Sequence, residues 1–129
     1  MVVYIIDTYA WIEYLIGTSK GEILIKLFNN VGNKFVTMEC CLVELKGYCL
    51  KNNFNFDKMH SMIKKNSLIL PVLKEHWIYA AEIKSEMRKK FRDFGLIDSI
   101  LIAKQKELNC KIISGEKHFK ELKDIVYIS

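Results

Sequence analysis

The chain has 129 residues, half of them hydrophobic, which is the size of one domain and too apolar for a disordered tail. No apolar stretch reaches the roughly 18 residues of a membrane span. The first six residues lack the basic start and small-residue cleavage site of a signal peptide, so a cytoplasmic protein without membrane contact is expected. A net charge of +5 suits an anionic partner without identifying one.

Residues 2–6 (VVYII) are apolar and largely β-branched, as expected of a central parallel strand buried on both faces. Thr8 is expected to cap a helix that sets Trp11, Ile12, Leu15 and Ile16 on one face, until Gly17 and the following TSKG break it. A second helix is expected over 22–28, stopped by NNVGN. A short strand at 34–37 leads into a helix over 39–51 that turns Leu42, Leu45 and Cys49 inward. NNFNF reads as a turn, and 57–65 as a helix with Met59, Met62 and Ile63 apolar. A third strand at 68–73 contains the only proline, Pro71. The long helix expected over 75–91 carries Trp77, Ile78, Ala81 and Ile83 and ends in the basic run RKKFR. Beyond Gly95 follow a helix at 96–108, a strand at 110–113, a short helix in GEKHFKEL and a last strand at 125–128.

This alternation predicts a single domain over 1–129 of the α/β class, an α/β/α sandwich around a mostly parallel sheet of four to five strands. Cys40, Cys41, Cys49 and Cys110 have no zinc-ligand spacing and are expected to be buried free thiols.

Asp7 directly follows the first apolar strand. An unpaired buried carboxylate costs several kcal/mol, so it either reaches solvent or meets a cation. Glu116 follows the fourth strand in the same way. Asp98 stands in the first turn of a strongly apolar helix and Glu44 in the apolar run CCLVELKGYCL. Each alone has an ordinary reading: helix-dipole stabilisation for Asp98, a solvated face for Glu44, a helix start for Glu116. In open α/β sheets sites lie beyond the carboxyl ends of the strands, and all four acids can face that edge. Ionised carboxylates about 5 Å apart repel by roughly 3 kcal/mol per pair at an effective dielectric near 20. Such a cluster needs a cation or raised pKa values. Oxygen donors without His or Cys select Mg²⁺ or Mn²⁺.

IIDTYAWIEYL resembles the opening of PIN-domain ribonucleases, above all the VapC toxins of VapBC toxin–antitoxin pairs. LVELKGYCL resembles their second acidic motif, and LIDSILIAKQKELNCKIISGEKHF their third and fourth. The resemblance spans essentially the whole chain. It implies a PIN-like fold and a metal-dependent endoribonuclease that hydrolyses RNA phosphodiesters. Asp7, Glu44, Asp98 and Glu116 then hold one or two Mg²⁺ or Mn²⁺ ions, with Asp7 and Asp98 on the main one. Thr8 and Ser114 bond to those carboxylates or to the scissile phosphate. The family most often has Asp where this chain has Glu116, which reaches one methylene further. A VapB-like antitoxin and a homodimer are implied as partners. The alternatives are a PIN nuclease of RNA processing or decay without an antitoxin, and a PIN scaffold whose catalysis has decayed. Asp93 and Glu13 fit no motif and are read as structural or surface acids. His118 is read as a surface helix residue.

The run MRKKFR places Arg88, Lys89, Lys90 and Arg92 just before the Asp98 segment. Cations there favour a helix C-terminus. They also provide a grip on RNA phosphates with little base readout.

Overall fold

The computed structural model describes residues 2–128. Its frame is one sheet of five parallel strands in the order β3–β2–β1–β4–β5, built from β1 (Val2–Ile6), β2 (Asn33–Met38), β3 (Leu68–Leu70), β4 (Lys111–Ser114) and β5 (Ile125–Tyr127). Six helices connect them: α1 (Thr8–Ile16), α2 (Glu22–Phe28), α3 (Cys41–Asn52), α4 (Phe56–Asn66), α5 (Lys74–Met87) and α6 (Leu96–Leu108).

Side chains alternate across a strand, so each strand feeds two cores. Ile5, Val36 and Ile112 pack on one face with Ile83 of α5, Leu101 and Ile102 of α6, and Phe94 and Phe119. Tyr4, Ile6 and Ile113 pack on the other with Ala10 and Trp11 of α1, Leu24 of α2, Leu45 and Cys49 of α3, and Met59 and Ile63 of α4. Coverage on both faces explains why the strands read as near-continuous apolar runs. The four cysteines are free; Cys41, Cys49 and Cys110 are buried and Cys40 is half-buried. Among the described residues no helix is long and apolar enough to cross a membrane.

The chain runs outward from β1 through β2 to β3, then returns to add β4 and β5 on the other side of β1. The strand order therefore reverses between β1 and β4, and a crevice opens beyond their carboxyl ends. Asp7 extends β1 into that crevice, its N–H donating to the Ile113 carbonyl at 3.1 Å.

Several local expectations are corrected. Asp7, not Thr8, caps α1: it is extended (φ −84°, ψ 172°) and its Oδ1 accepts from the Ala10 N–H at 2.8 Å. Strand β3 stops at Leu70 because Pro71 has no N–H for the ladder. Helix α3 starts at Cys41 because Glu39 serves the sheet edge instead, its N–H donating to the Leu70 carbonyl and its Oε1 accepting from the Val72 N–H. Helix α5 ends at Met87, and the Arg88 Nε–H then donates to the Phe94 carbonyl, folding 88–94 into turns. The GEKHFKEL segment forms a single 3₁₀ turn at Lys117–Phe119.

Candidate active site

Asp7 is only 4% exposed, so burial pushes its carboxyl up to about 7. A hydrogen bond from Ser114 and the cap from the Ala10 N–H oppose that rise, and the charges of Asp98 and Glu44 add to it. The same turn that buries Asp7 aims its neighbour. Thr8, the first residue of α1, donates its hydroxyl to Glu44 Oε1 on α3 at 2.7 Å. Glu44 is otherwise exposed on the first turn of α3.

Asp98 enters from the opposite face of the sheet. Gly95 starts α6, and the Ser99 hydroxyl donates back to the Gly95 carbonyl at 2.8 Å, so Asp98 lies in the first turn. From Ser99 to Lys104 every residue of α6 is buried, which fixes the helix deep against the sheet. Burial pushes Asp98 up to about 7; Glu116 and Glu44 add to the rise and His118 opposes it. Glu116 follows β4, its N–H donating to the Ser114 hydroxyl at 2.9 Å.

These residues share one cleft of about 280 Å³, lined by Asp7, Thr8, Tyr9, Ile12, Glu44, Asp98, Leu101 and Glu116. Ser114 is fully buried beneath Asp7. Two carboxyls pushed up to about 7, chiefly by burial, share the cleft with two more acids and make it strongly acidic. Among the described residues no three Asp, Glu, His or Cys side chains stand as a finished ligand set for one ion. The donor chemistry fits a hard divalent ion: the facing groups are carboxylates and hydroxyls. Mg²⁺ is commonly held by one or two carboxylates with water completing its shell.

Arg88, Lys89, Lys90 and Arg92 are exposed between α5 and α6 and do not line the cleft. Arg88 serves the Phe94 carbonyl, Lys89 pairs with Glu86 at 3.0 Å and Lys90 with Glu121 at 3.1 Å. Glu13 accepts from the Thr18 hydroxyl, a local tie at the end of α1. Sequence reasoning missed Tyr9, Ile12 and Leu101 as walls of the cleft; only the placement of α1 and α6 reveals them. It also misjudged His118, which is 6% exposed and packs against Phe91 and Phe94.

Gly115, between Ser114 and Glu116, is required by space. A Cβ there would lie 2.1 Å from Tyr9 Cε1 and 2.5 Å from the Ile128 carbonyl oxygen. Its absence lets the Tyr9 ring pack over the turn that presents Glu116.

A family model described as PIN domain matches residues 4–125. No curated protein matches the chain. Among solved structures, a chain of VapBC2 from Rickettsia felis, bound to a DNA fragment from its promoter, superposes with a TM-score of 0.73 at 15% identity, covering 98% of this chain and 97% of that one. VapC20 from Mycobacterium tuberculosis, a sarcin–ricin-loop-cleaving toxin, gives a TM-score of 0.73 at 13% identity and covers 98% and 99%. VapBC-1 from nontypeable Haemophilus influenzae gives 0.67 at 17% identity and covers 98% and 96%. At these identities the likeness is one of fold.

Proposed function

The chain belongs to the PIN-domain family, and from that premise we propose that it is a Mg²⁺- or Mn²⁺-dependent endoribonuclease, the toxin of a VapBC-type pair. The observation that carries this reading is the convergence of Asp7, Glu44, Asp98 and Glu116 on one cleft where the strand order reverses. A divalent ion bound there supplies an activated water and charge stabilisation at the scissile phosphate.

The residues then divide the work. Asp7 and Asp98 would hold the ion; burial, with the neighbouring acids adding to it, gives both carboxyls the high proton affinity that a bound cation would offset. Ser114 and the Ala10 N–H fix Asp7, and Thr8 fixes Glu44. Glu44 joins the ligands or orients the attacking water. Glu116, with its longer arm, would reach the ion or that water. Arg88, Lys89, Lys90 and Arg92 grip the phosphates of the strand. A VapB-like antitoxin is the partner that covers the cleft, and a homodimer is the assembly; VapBC complexes among the similar folds support this choice over an antitoxin-free nuclease.

Incubation with total RNA and Mg²⁺ or Mn²⁺, beside an EDTA control, tests the reading. Discrete cuts that need the metal, with ends that map to defined sites, are expected. Intact RNA with either metal overturns it.

A further inference from the structure

Asp93 and His118 are not among the four acids, and the chemistry above gives them no part. His118 follows Glu116 by two residues, yet its ring is buried in a three-ring cluster with Phe91, 5.1 Å away between centroids, and Phe94, 5.7 Å away. Its Nε2 lies 2.9 Å from Asp93 Oδ1. Its Nδ1 lies 3.4 Å from Glu116 Oε1, close enough for an ion pair but not aligned as a hydrogen bond, and it is buried with no other partner. A buried polar atom left unmatched costs about 1–3 kcal/mol. That nitrogen lies beside the fourth acid of the cleft.

Glu116 needs such a partner. It has one more rotatable bond than aspartate, and its side chain is 35% exposed. Among the described residues its only side-chain tie is to His118; the bond to Ser114 uses its backbone N–H. Asp93, by contrast, is 73% exposed and stands in the 88–94 turns that Arg88 anchors through the Phe94 carbonyl.

We propose that Asp93 and His118 are positioning residues: Asp93 fixes the His118 ring, and the ring holds the Glu116 carboxylate at the acidic cleft beside Asp98. A small rotation of the Glu116 side chain closes the 3.4 Å contact into a hydrogen bond. The longer glutamate is thereby kept from swinging into solvent. This role rests on the divalent-ion site proposed above.

Calorimetric titration of metal-free protein with Mn²⁺, with melting temperatures taken in EDTA, tests it. Removing a partner that orients a ligand typically costs 10–100-fold in metal affinity. Asp93→Ala and His118→Ala are each expected to raise the Mn²⁺ Kd about tenfold. The double variant is expected to lose no more than either single one within about twofold, because both act through one contact. Asp93→Asn, whose side-chain oxygen can take the place of Oδ1 2.9 Å from Nε2, is expected to bind near the wild-type level. Asp93 is exposed, so Asp93→Ala is expected to stay folded in EDTA with at most a small drop in melting temperature, and it decides the matter alone if His118→Ala unfolds. Wild-type affinity in Asp93→Ala overturns the positioning role. A wild-type protein that binds no Mn²⁺ overturns the ion site itself, and the role with it.

Discussion

The Thr8 hydroxyl donates to Glu44 Oε1 at 2.7 Å across 36 residues of sequence, tying the first turn of α1 to the first turn of α3. Thr8 is where it is because Asp7 follows β1 and caps α1, so one turn of chain both buries an acid and aims a hydroxyl at another.

Thr8→Val keeps the shape of the side chain and removes that bond. Glu44 is then free to rotate into solvent. RNA cleavage is expected to fall about tenfold, with a stability loss of about 1 kcal/mol. Thr8→Ser is expected to keep most of the activity. Single-turnover cleavage and a denaturation curve measure both.

Metal-free protein is expected to lose stability as pH rises. Asp7 and Asp98 are both pushed up from 3.8 to about 7 by burial, with neighbouring acids adding. Between those values the native state holds protons that the unfolded chain has released, so stability falls with pH through that window and levels off above it. In EDTA the melting temperature should be lower near about pH 8 than near about pH 5. Asp98→Asn should melt higher than wild type at the upper pH and show a flatter dependence. A wild-type melting temperature that climbs across the window contradicts the burial argument.

Gly115→Ala places a methyl group against the Tyr9 ring and the Ile128 carbonyl. Overpacking of this kind costs about 1–3 kcal/mol. The denaturant midpoint is expected to drop at an unchanged m value. Cleavage should drop as well, because Tyr9 lines the cleft and Gly115 precedes Glu116.

The basic turn is tested by salt. Single-stranded binding weakens with a slope of roughly −0.7 per phosphate contact. In an Asp98→Asn background, replacing Arg88, Lys89, Lys90 and Arg92 together by Ala is expected to flatten that slope by about 3. The pairs with Glu86 and Glu121 are exposed, and such pairs contribute only about 0–1 kcal/mol, so a phosphate displaces them readily. An unchanged slope removes the turn from the RNA path.

The order of strands and helices was legible in the sequence because each β-strand is a short apolar run bounded by breakers, and α6 is apolar enough to be buried from Ser99 to Lys104. The strand-end placement of Asp7 followed from the same pattern. The capping role of Asp7 was obscured because two cap-forming residue types, Asp7 and Thr8, stand side by side; the carboxyl and not the hydroxyl reaches the Ala10 N–H. The end of α5 was also hidden: helix-forming residues continue to Lys90, and only the Arg88 bond to the Phe94 carbonyl shows the chain turning. His118 was misread because its burial depends on Phe91, Asp93 and Phe94, which precede it by more than a helix and a strand. Local pattern carries no trace of such a contact.

One comparison bears most directly on whether the four acids act together through a divalent ion. Purified wild type and Asp98→Asn, matched in concentration and both shown to be folded by their melting curves, are incubated with one RNA and Mn²⁺. Wild type should cut the RNA and stop on addition of EDTA, while Asp98→Asn should leave it intact. Equal cleavage by the two proteins contradicts the site.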